Sequence, residues 1–176
     1  MAGRSALLAL AIIFGMPLAG CGWEPLYADP HSGPTSEELR AIRVAPIADR
    51  VGQRLEMALR NSLNPTGEPT KYRYTLNTTL TVGLSDLGIQ SQGTATLGRL
   101  DIYANYALVD NRNGTTLITN SVHVQNSFAL NPNQYSTVVG EDDAQVRSVA
   151  ELNQEIVTRL NLFLENRAAQ PSPKTG

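Results

Sequence analysis

The residue types that most often carry catalysis or bind metals are scarce in this chain of 176 residues. It contains one cysteine, Cys21, and two histidines, His31 and His123. A zinc site of Cys and His ligands, a disulfide framework and a Cys-His nucleophile pair all need more of these residues. No Gly-x-Ser-x-Gly motif and no glycine-rich phosphate loop occurs in the sequence. We therefore predict no catalytic residue, no metal site, no cofactor and no enzymatic activity.

Acidic residues cluster once, at Glu141, Asp142 and Asp143. A helix that begins there explains them, because carboxylates are favourable at a helix N-terminus, and their spacing differs from that of a calcium loop. His123 lies between two valines in an alternating segment. It is interpreted as a structural residue.

Basic residues are concentrated in residues 39–73, which contain seven of them against three acidic residues. The planar fork of arginine suits phosphate or carboxylate groups, so an anionic ligand is one interpretation of this segment, which includes Lys71 and Arg73, and of Arg99. A solvated helix face and solubilising strand ends explain the same charges. The net charge of -2 lacks the basic excess of nucleic-acid-binding proteins. We predict no nucleic-acid partner.

The first twenty residues have the pattern of a signal peptide, with Arg4 before an apolar run over residues 6–14. That run is shorter than the ~20 residues that a membrane-spanning helix needs. The ending Leu-Ala-Gly-Cys resembles the bacterial lipobox, whose cysteine is acylated and becomes the new N-terminus. A buried core cysteine is the alternative for a single thiol. We predict lipidation of Cys21, an acyl anchor in the membrane, and, because Gly22 rather than Asp follows, the outer membrane as the location.

The mature chain is predicted to form one domain over residues 39–167, between a flexible tether at 21–38 and a disordered tail at 168–176. A strand is expected within residues 39–47 and a helix from Asp49 to about Leu63. Alternating apolar residues then predict three strands, two of them joined by a tight turn at Asn113–Gly114. A long amphipathic helix follows from the acidic cluster. The order is β-α-β-β-β-α.

This order predicts an α+β two-layer sandwich, with a four-stranded, mainly antiparallel sheet covered on one face by two helices. Tyr72, Tyr74 and Tyr106 share the apolar register, whereas Tyr103 falls on the polar face of its strand. That polar face suits a wet contact with another protein.

The segment Leu18-Ala19-Gly20-Cys21-Gly22-Trp23-Glu24-Pro25-Leu26-Tyr27 resembles the mature start of the LptE family of lipopolysaccharide-assembly lipoproteins, especially the alphaproteobacterial branch. The resemblance continues through Ile42-Arg43-Val44, residues 54–63, Leu108-Val109-Asp110 and the final helix. It covers nearly the whole mature chain and implies two helices against a four-stranded sheet.

The resemblance implies a non-enzymatic lipoprotein that forms a complex with the LptD barrel, as plug and assembly factor in lipopolysaccharide transport to the outer leaflet. The protein would face the periplasm or lie inside the barrel lumen. Lipopolysaccharide binding is also implied, with Arg99 as the nearest match to the basic contact of the family and Arg73 and Lys71 as further candidates. The alternative is a stand-alone, periplasm-facing lipoprotein that binds a lipid or glycolipid in a groove between helices and sheet.

Overall fold

A computed structural model describes residues 34–67, 70–89 and 95–169. The predicted signal peptide, Cys21, residues 21–33 of the predicted tether and residues 170–176 of the predicted tail lie outside these ranges. The described elements, in chain order, are α1 (Pro34–Arg40), β1 (Ile42–Val44), α2 (Arg50–Leu63), β2 (Tyr74–Ile89), β3 (Ala95–Asp110), β4 (Thr115–Ala129) and α3 (Gln134–Ala169).

The four strands form one sheet in the order β1-β2-β3-β4. The predicted α+β fold, with two long helices and four strands, is confirmed. The sheet is mixed, however, because β1 pairs with β2 in parallel, while β2–β3 and β3–β4 are antiparallel. Helix α2 connects β1 to β2. It carries the chain back to the end of the sheet at which β1 began, so both strands run in the same direction.

The core lies between the sheet and the two long helices. Alternate residues of β3, such as Leu100 and Ile102, point toward the helices and are fully buried. Helix α2 contributes Leu55 and Leu59 and helix α3 contributes Leu152, together with other apolar residues at helical spacing. Tyr74 and Tyr106 are buried as their register predicts, and burial raises the pKa of both phenols.

The segment before β1 contains a helix that the sequence pattern did not predict. Helix α1 (Pro34–Arg40) includes residues that were assigned to the tether and to the first strand, and β1 is only three residues long. Leu39 is 5% exposed in the core cluster. Helix α1 also buries Ser36 and places Glu38 2.9 Å from Arg73, so residues 36–39 take part in the folded domain.

Helix α3 begins at Gln134, seven residues before the acidic cluster that was expected to start it. Asn133 caps this end, because its Oδ1 accepts the Tyr135 N–H at 3.0 Å. The acidic residues lie inside the helix and pair with neighbours. Asp142 accepts from Arg54 of α2 at 2.6 Å, and Asp143 pairs with Arg147 one turn along.

Tyr72 was expected in the core register and lies outside it. Its side chain is 42% exposed because the strand begins two residues later, at Tyr74. The Tyr72 hydroxyl accepts a hydrogen bond from Arg43 Nη1 at 2.9 Å, and the same guanidinium lies 5.0 Å from the centre of the ring.

Candidate functional site

One face of the sheet is not covered by helices, and its central part is built from polar side chains. We call it the open face. It arises because residues alternate between the two sides of each strand, and the alternate set on β2, β3 and β4 points away from the core. Its central members are Asn77, Thr79 and Thr81 of β2, Arg99, Asp101, Tyr103 and Asn105 of β3, and Ser121, His123 and Gln125 of β4.

Asp101 is the centre of the hydrogen bonding on the open face. Its Oδ2 accepts from Arg99 Nε at 2.9 Å, and its Oδ1 accepts from Gln125 Nε2 at 2.9 Å. Nε2 of His123 lies 3.1 Å from the same Oδ1. The hydrogen bond from Gln125, followed by those from His123 and Arg99 and the charge of Arg99, lowers the pKa of Asp101. The carboxylate therefore stays charged and joins β3 to β4.

An aromatic pair stands beside this carboxylate. Tyr103 and His123 are directly opposite each other on β3 and β4, and their rings stack with centroids 4.1 Å apart and an angle of 2° between their planes. The Tyr103 side chain is 45% exposed. The pair therefore presents a rigid, half-exposed ridge of the kind that is common in protein interfaces.

Arg99 occupies the end of the open face nearest the β2–β3 hairpin tip, between Ser85 and Ser127 of the flanking strands. Among the described residues, only its Nε takes part in a hydrogen bond, and that bond goes to Asp101. Its two terminal nitrogens can still donate to an anion. The neighbouring carboxylate orients the guanidinium and partly neutralises its charge.

Arg73 and Lys71, the other two predicted basic contacts, do not lie near Arg99. Arg73 immediately precedes β2, whereas Ser85, the β2 neighbour of Arg99, is twelve residues further along, which is about 40 Å in an extended strand. Arg73 Nη1 donates to Glu38 of α1 at 2.9 Å and its guanidinium lies 5.1 Å from the centre of the Tyr74 ring. Lys71 is exposed. The three basic residues therefore form no common site.

Sequence patterns did not reveal the network around Asp101. The alternation of β3 places Arg99 and Asp101 on one face, two residues apart. This spacing is the part of the network that the sequence could have indicated. The contribution of His123 and Gln125 depends on the register of β4 against β3, which single-strand periodicity does not determine.

Two further classes of site are absent from the residues that the structure describes. No group of three or more His, Cys, Asp and Glu side chains in the described ranges is arranged to hold a metal ion. Within those same ranges, every helix is too short or too polar to cross a membrane.

Comparison with known proteins identifies the family. The model of the LptE family, described as lipopolysaccharide-assembly, matches residues 39–160. The chain belongs to the LptE family. The match includes β1, all three long strands and most of α3, and therefore the whole open face. Comparison with curated proteins finds no match.

Solved structures share the fold. A crystal structure of a protein from Caulobacter crescentus CB15 is 18% identical, with a TM-score of 0.63, and the match covers 80% of this chain and 100% of that one. A minor lipoprotein from Acinetobacter baumannii is 16% identical, with a TM-score of 0.55 and coverage of 73% and 93%. At these identities the similarity is one of architecture.

Proposed function

We propose that this chain is an outer-membrane lipoprotein that occupies the lumen of an LptD-type barrel and assists its assembly and the delivery of lipopolysaccharide to the outer leaflet. The observation that carries the proposal is the open face. It is a broad, polar and hydrogen-bonding surface on one side of a sheet whose other side carries the core that packs against the helices. In this function the chain acts by binding and carries out no catalysis.

The lumen of a large outer-membrane barrel is polar, so a plug inside it needs a surface that forms hydrogen bonds. Threonine, serine and asparagine side chains on the open face can bond to lumen side chains directly or through water. The Tyr103–His123 pair adds a rigid contact at the centre of this surface. Sheet and helices pack into one core, so the plug keeps its shape when it is inserted.

Lipidation at Cys21 would hold the protein at the periplasmic side of the outer membrane, since several acyl chains suffice for stable anchoring. Arg99 is the basic residue of the open face that we propose as a contact for lipid A phosphate groups, because its terminal nitrogens can bond phosphate in pairs. Arg73 and Lys71 remain weaker candidates at the other end of the sheet.

The alternative function is lipid or glycolipid binding without a barrel. A groove of about 450 Å³ between the helices and β2 favours it, with Val51, Leu80, Val82 and Val138 as apolar lining. Asp49, Glu141 and Asp142 line the same groove against one basic residue, Arg50, and this excess of negative charge disfavours a phosphorylated lipid. We therefore favour the complex with a barrel over lipid binding without one.

The test is a pull-down of the tagged, lipidated protein from outer membranes in mild detergent, with the copurifying proteins identified by mass spectrometry. The proposal predicts one large barrel protein in stoichiometric amount. It also predicts that depletion of the lipoprotein lowers the level of folded barrel and of surface lipopolysaccharide. A protein that purifies alone and binds one lipid per chain would support the alternative and contradict the barrel complex.

A further inference from the structure

The backbone of β2 is unpaired along most of one edge. Strand β1 pairs only with residues 74–76, and among the described residues no strand pairs with this edge of the following part of β2. Leu76 O accepts the Ala45 N–H, so the even-numbered residues of β2 direct their backbone groups toward this edge. Among the described residues, no backbone hydrogen bond outside the β2–β3 ladder involves residues 78–86. We call this edge, from Thr78 to Asp86, the lane.

The opposite edge of the sheet is protected. On β4, Ser121 O accepts from Arg159 Nη1 at 2.9 Å, and the Ser121 N–H donates to Asn120 Oδ1 at 2.8 Å. Further along β4, Ser127 O accepts from Arg147 Nη2 at 3.2 Å. Side chains that cap exposed backbone groups prevent another strand from pairing there. The contrast singles out the lane as the edge that is open to an added strand.

Apolar surface lies next to the lane. The even-numbered side chains of β2 point to the helix side of the sheet, and beyond Leu80 they extend past the cover of the helices, so that Val82 is 42% and Leu84 55% exposed. Val138 of α3, which is 57% exposed, lines the same groove. Its volume of about 450 Å³ exceeds the ~150 Å³ cavity that holds a benzene ring, so there is room for two or three side chains.

We propose that the lane binds an extended segment of a partner polypeptide, which adds to the sheet as a further strand beside β2. A row of unpaired N–H and C=O groups at strand spacing matches the donors and acceptors of another extended backbone, which a lipid does not supply. Alternate side chains of the added strand would enter the groove beside Val82, and the others would continue the open face. The segment therefore alternates apolar and polar residues. If the proposed function holds, the segment belongs to the barrel protein.

Charge at the groove favours a basic segment. Asp49, Glu141 and Asp142 line the groove with one basic residue, Arg50, and the exposed Asp86 ends the lane. Arg54, beside the groove, pairs with Asp142 at 2.6 Å, which leaves Asp49 and Glu141 against Arg50, so the net charge of the groove is negative. A second copy of this chain would bring two acidic rims together, which is unfavourable. Residues 22–33 of this chain contain two acids and two prolines and fit the lane poorly.

The experiment compares two proline variants in the lipidated protein. Val82→Pro removes an N–H that points into the lane. Thr119→Pro removes an N–H from the outer edge of β4, opposite Ala107 and away from the Asp101 network, so neither variant breaks a ladder bond to β3. We expect Val82→Pro to lower the amount of barrel that copurifies by about tenfold and Thr119→Pro to leave it unchanged. Circular dichroism checks that both variants fold.

A second pair of variants tests whether the negative charge of the groove attracts the added segment. This pair also tests the proposal if Val82→Pro does not fold. Glu141→Lys reverses a charge at the groove, and Glu165→Lys makes the same change far along α3. A basic segment predicts about fivefold less copurifying barrel for Glu141→Lys only. An increase in bound lipopolysaccharide for Glu141→Lys, without loss of barrel, would assign the groove to a phosphorylated lipid and overturn the proposal.

The remaining outcomes separate this inference from the proposed function. Equal amounts of barrel with Val82→Pro and Thr119→Pro, both folded, would overturn strand addition while the barrel complex stands. If the unmodified protein brings down no barrel, the proposed function fails. A sedimenting mass of two copies that Val82→Pro returns to one would then assign the lane to self-association, against the partner proposed here.

Discussion

Asp101 accepts hydrogen bonds from Arg99 on its own strand and from Gln125 on the neighbouring strand, so a single carboxylate organises the polar centre of the open face. Each of these donors alone is an ordinary surface residue. Together they hold Arg99 in a defined position, with its terminal nitrogens still able to donate. A guanidinium that is oriented before binding loses less conformational freedom when it contacts a phosphate.

Arg99→Glu is expected to weaken lipopolysaccharide binding by about tenfold, because it removes a bidentate donor and places a second negative charge beside Asp101. The measurement is a titration of the lipidated protein in detergent with purified lipopolysaccharide. Arg43→Glu, an exposed change on β1, serves as the control. Unchanged affinity together with normal thermal unfolding would reject Arg99 as a contact.

Asp110 provides a test of acid sensitivity at the end of β3. The residue is 1% exposed, and its carboxylate accepts from Arg112 Nε at 3.1 Å, Arg112 Nη2 at 2.8 Å and the Arg112 N–H at 3.0 Å. These hydrogen bonds hold the pKa of Asp110 well below its usual range.

Because the pKa of Asp110 is lower in the folded than in the unfolded chain, its ion pair stabilises the fold above the unfolded pKa of about 4, and this contribution is lost as the pH falls further. Asp110→Asn should therefore be less stable than the parent at pH 7 and closer to it at pH 2. Urea denaturation at the two pH values measures the difference. An equal difference in the free energy of unfolding between the variant and the parent at both pH values would contradict the role of the charged carboxylate.

At the scale of elements, the two edges of the sheet differ because of the helices beside them. Helix α3 runs along β4, and its arginines at positions 147 and 159, three turns apart, reach the backbone of that strand. Helix α2 follows a strand of only three residues, so β1 ends early and leaves the neighbouring edge of β2 unpaired. Strand length and helix position thus decide which edge can accept a further strand.

Gly98 of β3 lies opposite Phe128 of β4, whose ring occupies the space of the missing side chain. A Cβ at this position would lie 2.4 Å from the tip of the Phe128 ring, which is 8% exposed. Gly98→Ala should destabilise the fold by about 1–3 kcal/mol, because the ring must move from its packed position. Thermal or urea unfolding measures this change.

The matched control for this prediction is Gly83→Ala on β2, where the nearest atom to an added Cβ is 3.9 Å away. This substitution should change the free energy of unfolding by no more than about 0.5 kcal/mol. Equal effects at Gly83 and Gly98 would show that backbone conformation, and not contact with Phe128, determines the cost at these glycines.

At the scale of the whole molecule, the fold separates a buried core from two different exposed surfaces. The core closes between the helices and one face of the sheet, the open face remains polar, and the lane leaves one edge unpaired. In the proposed complex the open face would contact the barrel lumen, while the lane would hold a single extended segment. These two contacts can be removed independently by substitution.

Loss of the proposed anchor provides a test at this scale. Cys21→Ala should abolish acylation and release the protein from membranes, because no other cysteine is present in the chain. Fractionation after metabolic labelling with a fatty acid measures both effects. Retention of unlabelled protein in the membrane fraction is expected only when the barrel is present, so barrel depletion should release it. Persistent labelling of the variant would contradict Cys21 as the acylation site.

Sequence periodicity was sufficient for the parts of this protein that depend on local order. Alternation predicted the strands that carry Leu100 and Ile102, and helical spacing predicted the helix around Leu152, because burial on one side imposes a period on the chain itself. Sequence periodicity failed where contacts with other parts of the fold determine where an element begins. Tyr72 has the apolar register but lies before the strand begins, and Glu141 resembles a helix start but lies within α3.

The signal-peptide pattern, the lipobox and the family resemblance come from the sequence by itself, since they depend on consecutive residues. Only the tertiary structure decided which side chains meet on the open face, because the contact of His123 and Gln125 with Asp101 requires one particular register between two strands. The lane is likewise a property of the fold. A free edge exists where a neighbouring strand ends. The sequence of β2 alone does not show that β1 ends at Val44.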